Sequence, residues 1–383
     1  MSFVKDYVDC YGYLSFKDKP FTKEDNVAMC MSFYMPLDKV VSPSFDEEPR
    51  PFADVCRDMF EQRGNKHTPV GLVLKKDISI LLMAMAEQKR YSEMKVIACT
   101  DNFCDKPAVQ FNSCTFLLPD GNIVVLFRGT DDTLTGWKED LDMLASKEGI
   151  PSEHLSVEYL GEVAKRFDGN IIVCGHSKGG YVAQYAVMNS PKEVRDRVIA
   201  LYNNDGPGFA TYDYLNSDVY KELLPRYHHL IPQSSFIGMM LLHDSDYTVI
   251  KSTGIVGALQ HDLLTWVFDG DKLVECKDIT RRSKVSDLAF YDIVTGATEE
   301  QLDATERTVG TLLEGIGQRG LLDVKDNVKD SAKGAVEAWK SVDKDSKDIL
   351  KGTAKDAVKA VTKAVKAVAK DEVTPVSERA KSE

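Results

Sequence analysis

The chain lacks a basic surplus. Its formal net charge is -12 at pH 7, so there is little to neutralise phosphates, which argues against general nucleic-acid binding. It has no stretch approaching the roughly 18 uninterrupted apolar residues of a membrane span. Residues Met1–Leu14 alternate charged and apolar positions and have no apolar core of the secretory type. The eight cysteines (Cys10, Cys30, Cys56, Cys99, Cys104, Cys114, Cys174 and Cys276) form no C-x-x-C pair. Several, Cys174 among them, sit in strand-like runs where a free thiol behaves as a small core residue. Together these absences lead to the expectation of a reduced, cytoplasmic protein. His228-His229 has no carboxylate or cysteine partner at ligand spacing. Neither a phosphate-binding G-x-x-x-x-G-K-[ST] nor a dinucleotide fingerprint is present. No metal and no cofactor are expected.

What is present is enough apolar material, 43% of 383 residues, for one large domain or two smaller ones. Residues 1–105 read as a mainly helical part packed on a core. The apolar clustering of "KKDISILLMAMAEQKRYSEM" suits a buried helix, and Thr22 is a plausible N-cap. Residues 106–300 change rhythm. Apolar runs at "SCTFLL", "NIVVLF", "NIIVC", "VIALY" and "SFIGMMLL" alternate in their later part with the helix-like "SEHLSVEYLGEVAKRF" and "YVAQYAVMNSPKEVRDRV". "PDGN", Pro119 to Asn122, is a hairpin signal. Near-continuous apolar strands between helices predict an α/β fold with a mainly parallel sheet covered on both faces.

Residues 301–383 are rich in Lys, Asp, Ala and Val. Val358, Val361, Val365 and Val368 recur at helical spacing beside Lys355, Lys359, Lys363, Lys366 and Lys370. The expectation is a solvated, low-complexity, partly disordered tail. The alternative is a basic amphipathic helix making peripheral contact with an anionic membrane surface.

The chemistry concentrates in "NIIVCGHSKGGYVAQYAV". Gly175-His176-Ser177-Lys178-Gly179 fits G-x-S-x-G with an apolar strand before it and a helix after. The two glycines make room where strand and helix crowd together, and the turn lifts Ser177 Oγ toward a helix N-terminus. A tetrahedral oxyanion needs two convergent N–H donors. Lys178, after the nucleophile, offers one. Thr130, in a loop after the run "NIVVLF", offers a second and also a hydroxyl. The bland reading of that loop is a surface ion pair of Arg128 with Asp131.

"FRGTDDTLTGWKEDL" followed by "GHSKGG" resembles the class 3 lipases of the α/β-hydrolase fold, and more narrowly a bacterial branch of lipase-like serine hydrolases. The resemblance spans about Asp6 to Phe268. It implies an oxyanion role for Thr130, a W-x-x-D match at Trp137 and Asp140, Ser177 as nucleophile and Lys178 as the second oxyanion donor. It also implies a lipid or acyl-ester substrate.

α/β-Hydrolases order their triad Ser, Asp or Glu, His. His67, His154 and His176 precede the serine, and His176 should pack beside the elbow. His261 alone follows a plausible acid and is the expected base. Asp244 and Asp246 sit past the supposed strand "SFIGMMLL". Asp246, followed by Tyr247-Thr248-Val249, fits the family pattern better, with Asp244 as the alternative. The interval from Asp246 to His261 is shorter than that pattern implies. "YNNDGPGF" reads as a turn beside the site or as simple turn chemistry. "ATYDYLNSDVYKELLPRYHHL" reads as core packing in preference to a lid. The sequence therefore predicts an ester-cleaving serine hydrolase acting through Ser177, Asp246 and His261. The alternatives are a hydrolase-fold binding protein that uses its tail, and a thioesterase or peptidase with the same triad.

Overall fold

The computed structural model describes residues 1–63, 77–131, 133–145, 149–243, 246–255, 257–316 and 327–370. Its centre is an eight-stranded sheet in sequential order: β1 Arg50–Pro51, β2 Lys95–Cys104, β3 Val109–Leu117, β4 Ile123–Phe127, β5 Ile171–His176, β6 Val198–Asn204, β7 Tyr227–Pro232 and β8 Tyr247–Ile250. The first three pairings are antiparallel. The remaining four, β4 through β8, are parallel.

The continuous apolar runs have a direct cause. Val124, Leu126, Ile172 and Cys174 face one core cluster, while Ile123, Val125, Phe127, Ile171 and Val173 face the other. Strands buried on both faces cannot alternate polar with apolar residues. The first cluster is completed by the helices Val4–Tyr11, Lys23–Ser32, Phe52–Arg63 and Asp77–Glu87. Thr22 caps the second of these by accepting from the Asp25 N–H. Asp25 also receives the fully buried Arg90 guanidinium at 2.6 Å, and the Tyr7 and Tyr91 hydroxyls. The second cluster is covered by the helices Pro151–Arg166 and Lys178–Asn189.

Three expectations change. Residues 95–104, inside the stretch read as helical, form β2. There Cys99 and Cys114 of the neighbouring strand form a disulfide, against the expectation of reduced thiols. The pairing was hidden because it depends on β2 lying beside β3. "SFIGMMLL" is not a strand: Ile237–Met239 is a short 3-10 turn, and the parallel strands after β6 are β7 and β8. Among the described residues no helix is long and apolar enough to cross a membrane.

The C-terminal segment is helical over Arg281–Gly296, Glu299–Ile316, Val328–Ser341 and Lys344–Ala369. The last of these packs along the first two, and Glu299–Ile316 meets the core helix Leu134–Ala145. The buried positions of Lys344–Ala369 are Ser346, Ala360, Ala364 and Val368. Of the four valines read as its apolar face, three lie outward, with Val358 66%, Val361 44% and Val365 50% exposed, and Val368 packs inward. Small alanines allow the close helix contact, so the packed face is narrower than the valine periodicity suggested.

Candidate active site

Ser177 stands between β5 and the helix Lys178–Asn189, with φ 59° and ψ -133°. This is left-handed backbone that a non-glycine residue adopts only where its surroundings enforce it. The glycines around it follow from crowding. A Cβ on Gly175 would come within 2.0 Å of the Gly179 carbonyl oxygen, and one on Gly179 within 2.1 Å of the Phe127 carbonyl oxygen. The elbow helix therefore lies directly against the ends of β4 and β5. Ser177 is partly exposed, while its neighbours His176 and Lys178 are buried.

His261 directly follows the short helix Gly257–Gln260 and precedes the turn Leu263–Thr265. Its Nδ1 is 2.7 Å from Oδ2 of Asp205. A carboxylate accepts only, so Nδ1 carries the proton and Nε2 keeps its lone pair, the tautomer a general base needs. Asp205 is 0% exposed. Its second oxygen accepts from the Ser235 hydroxyl and from the Gly238 N–H. Its own N–H donates to the Leu230 carbonyl on β7 at 2.8 Å, and its φ is 49°. The carboxylate partner of His261 is thus Asp205, not the expected Asp246. Asp246 sits just before β8, whereas Asp205 directly follows β6, one position past its last residue Asn204. Asp244 lies outside the described residues, as does His67. The misreading has a physical origin. Ser235 and Gly238, inside the segment taken for a strand, spend their polar groups on Asp205 rather than on a ladder. The signal that was available is "NNDG" at the end of an apolar strand.

One backbone bond and one side-chain bond bring the three residues to one place. The Ser177 N–H donates to the carbonyl of Asn204, the residue before Asp205, at 3.1 Å. His176, the residue before Ser177, bonds the His261 carbonyl through Nε2 at 2.9 Å, and its Nδ1 accepts from the Tyr34 hydroxyl at 2.7 Å. Burial, with the nearby His261, holds the His176 pKa well below the ordinary histidine value, so the ring acts as a neutral strut. The His176 and His261 rings lie 4.4 Å apart, centroid to centroid. Sequence reasoning assigned His176 to packing and did not find this role.

The Thr130 loop passes the elbow closely. A Cβ on Gly129 would meet the His176 carbonyl oxygen at 2.5 Å and Ser177 Cβ at 2.8 Å, which is why glycine stands there. The Thr130 hydroxyl donates to Asp140 at 2.7 Å, so its hydrogen is committed and the backbone N–H is what remains to offer an oxyanion. Desolvation pushes the Asp140 pKa up to about 6, against the opposing pull of the Lys178 ammonium and the Thr130 hydroxyl. Lys178 begins the elbow helix, so its N–H belongs to the helix start, where no carbonyl of its own helix can reach. Its side chain, 2% exposed, runs inward to Glu139 at 2.6 Å and the Gln110 carbonyl at 2.8 Å. Glu139 and Asp140, on the helix after the Thr130 loop, are thereby fastened to the elbow. Arg128 and Asp131 do pair, loosely, at 3.8 Å.

A search of curated proteins finds no match. Among solved structures, the chain is similar to a deletion mutant of the Rhizomucor miehei lipase propeptide complex, with a TM-score of 0.35 and 12% identity over 60% of this chain and 68% of that one. The native form of that complex gives a TM-score of 0.31 and 12% identity over 61% and 71%. A triacylglycerol lipase from Penicillium expansum gives 0.28 and 14% over 48% and 74%. The profile of the Mbeg1-like family matches residues 85–312, a span that runs from before β2 into the helix Glu299–Ile316 and takes in the elbow, Asp205 and His261, and the chain belongs to that family.

Proposed function

We propose that this protein is a serine hydrolase of lipase-like type that cleaves carboxylic esters through Ser177, His261 and Asp205. The observation that carries the reading is the Asp205–His261 pair, tied to a strained serine elbow by the Ser177 N–H bond to Asn204 and the His176 ring bond to the His261 carbonyl. Ser177 Oγ adds to the ester carbonyl carbon as its proton passes to His261 Nε2. The Thr130 and Lys178 N–H groups hold the oxyanion. The carbon–oxygen bond to the alcohol then breaks, His261 returns the proton to the leaving alkoxide, and water repeats the sequence on the acyl-enzyme. Asp205 keeps the imidazole in its tautomer and stabilises the imidazolium. The narrower kinship with bacterial class 3-like enzymes and an acyl-ester substrate rest on the Thr130 and Ser177 motifs. The test is labelling with a fluorophosphonate and mapping of the modified residue. Label on Ser177 that is lost in His261→Ala is expected. A folded protein that takes no label overturns the reading.

A second reading is favoured by the outward valines of the helix Lys344–Ala369, flanked by lysines: a hydrolase-fold protein that contacts anionic membranes through this face. Co-sedimentation with phosphatidylserine vesicles, compared with Val358→Asp/Val365→Asp, tests it. Equal binding of the two proteins, or none, removes it.

A further inference from the structure

The helices Arg281–Gly296 and Glu299–Ile316 roof a cavity of about 780 Å³ against the core, inside the roughly 300–1,000 Å³ range of small-molecule sites. Ser177, Asp205 and His261 are not among its lining residues, so it is separate from the serine chemistry. Its walls are of two kinds. Tyr181, Tyr185 and Tyr214, with Phe290 of the roof, are aromatic. Glu153 and Asp213 are carboxylic, and none of the described lining residues is Lys, Arg or His.

Glu153 is 3% exposed. One of its oxygens accepts from the Tyr181 hydroxyl, the other from the Ile150 N–H at the start of the helix Pro151–Arg166. Neither donor carries a charge, and the buried Lys178 is taken by Glu139. Burial raises the Glu153 pKa against both donors, the mark of a carboxylate short of compensation. Gly149, which also lines the cavity, has φ 79°, and a Cβ there would strike Glu153 Oε2 at 2.1 Å. The bare glycine keeps that oxygen at the cavity wall. The Tyr185 and Tyr214 rings lie 5.9 Å apart, and Phe209 stacks on Tyr214 at 4.5 Å. Burial first, and then the Glu153 charge, raise the Tyr185 pKa, so the carboxylate field reaches the aromatic wall.

We infer that this cavity binds an organic ammonium ion, a quaternary or alkylated amine with apolar substituents, held between the tyrosine rings and the Glu153 carboxylate with Asp213 at the mouth. Aromatic faces attract a cation within about 6 Å of their centroids, and a buried carboxylate gains the counter-charge it lacks. The apolar roof at Ile293, Val294 and Leu302 favours a weakly hydrated cation. A divalent metal needs several oxygen ligands, and no group of three His, Cys, Asp or Glu able to hold one occurs among the described residues. An anion would meet two carboxylates and no cation. Tyr181 and Tyr185 belong to the elbow helix, so a bound ammonium ion fastens that helix to the C-terminal roof. The inference does not depend on ester hydrolysis.

The test is calorimetric titration of the full-length protein with benzyltrimethylammonium, against phenylmethanesulfonate, an anion of similar shape. Expected is binding of the cation alone at a single site, with a thermal midpoint that rises with its concentration. Binding should weaken about tenfold or more in Glu153→Gln and about fivefold in Tyr185→Leu. Ile293→Lys, at a half-buried roof position, places a like charge in the cavity and should abolish it. Circular dichroism establishes that each variant is folded. Ser177→Ala should bind the cation as wild type does. No heat with the cation, equal binding of the sulfonate, or cation binding unchanged in the folded Glu153→Gln or Ile293→Lys overturns the inference. Loss of binding in Ser177→Ala would move the ligand to the serine and overturn it as well.

Discussion

Oδ2 of Asp205 lies 2.7 Å from Nδ1 of His261, across 56 residues of chain. That interval is long enough to hold two further strands, β7 and β8. It removes the short spacing that an acid at Asp246 would have imposed.

The first prediction follows directly. Asp205→Asn should lower kcat for ester hydrolysis by about 10⁴-fold, because an amide no longer holds the base tautomer. Asp246→Asn should stay near wild type. Steady-state kinetics on both variants decides it, and the reverse pattern would restore the acid expected from sequence.

His176 should matter to rate more than to substrate affinity. His176→Phe removes the bond to the His261 carbonyl, and a small displacement of the base costs about 10²-fold in kcat with KM little changed. Tyr34→Phe is milder. It leaves the buried Nδ1 of His176 without its hydroxyl donor, at about 1–3 kcal/mol of stability, measured by urea unfolding. A His176→Phe protein with wild-type kcat would show that the strut is dispensable.

The Lys178–Glu139 pair predicts strong non-additivity. Glu139→Gln strands an ammonium in the interior and should cost about 3–5 kcal/mol. The double variant Lys178→Met/Glu139→Gln should recover part of that loss. Denaturation midpoints of the two singles and the double form the cycle, and additive values would mean the charges do not couple.

Asp140 makes stability depend on pH in an unusual direction. Its pKa rises from 3.8 to about 6 on folding. Between these values the folded protein keeps a proton that the unfolded chain has released. Its contribution is therefore fully present below the unfolded value and is lost as pH rises through about 6. From about pH 4 to pH 7, wild type should lose about 3 kcal/mol relative to Asp140→Asn. Parallel stability curves for the two proteins would contradict the assignment.

Much of the site was legible because its constraints are local. The Ser177 elbow follows from steric crowding at Gly175 and Gly179, a few residues apart. His261 was reachable by chain order. Asp205 was not, because what marks it is the convergence of Ser235, Gly238 and His261 from distant segments. The central strands were readable because burial on both faces demands unbroken apolar runs. β2 was not readable, since its later half, past Thr100, is exposed and carries no such signature. In the C-terminal helices, periodicity located the helix, but of its four valines Val368 alone lies on the packed side. Alanine contact at Ala360 and Ala364 leaves less trace in a sequence than valine exposure does.

The bond from His176 to the His261 carbonyl has an evolutionary consequence. The loop bearing the base takes its alignment from the strand that ends at the nucleophile as well as from its own ends, where Gln260 donates to the Gly254 carbonyl and Ser252 bonds Thr265. The position before the serine is thus constrained by the base as well as by the elbow. Lineages that share this elbow should keep at that position a side chain able to donate to the loop.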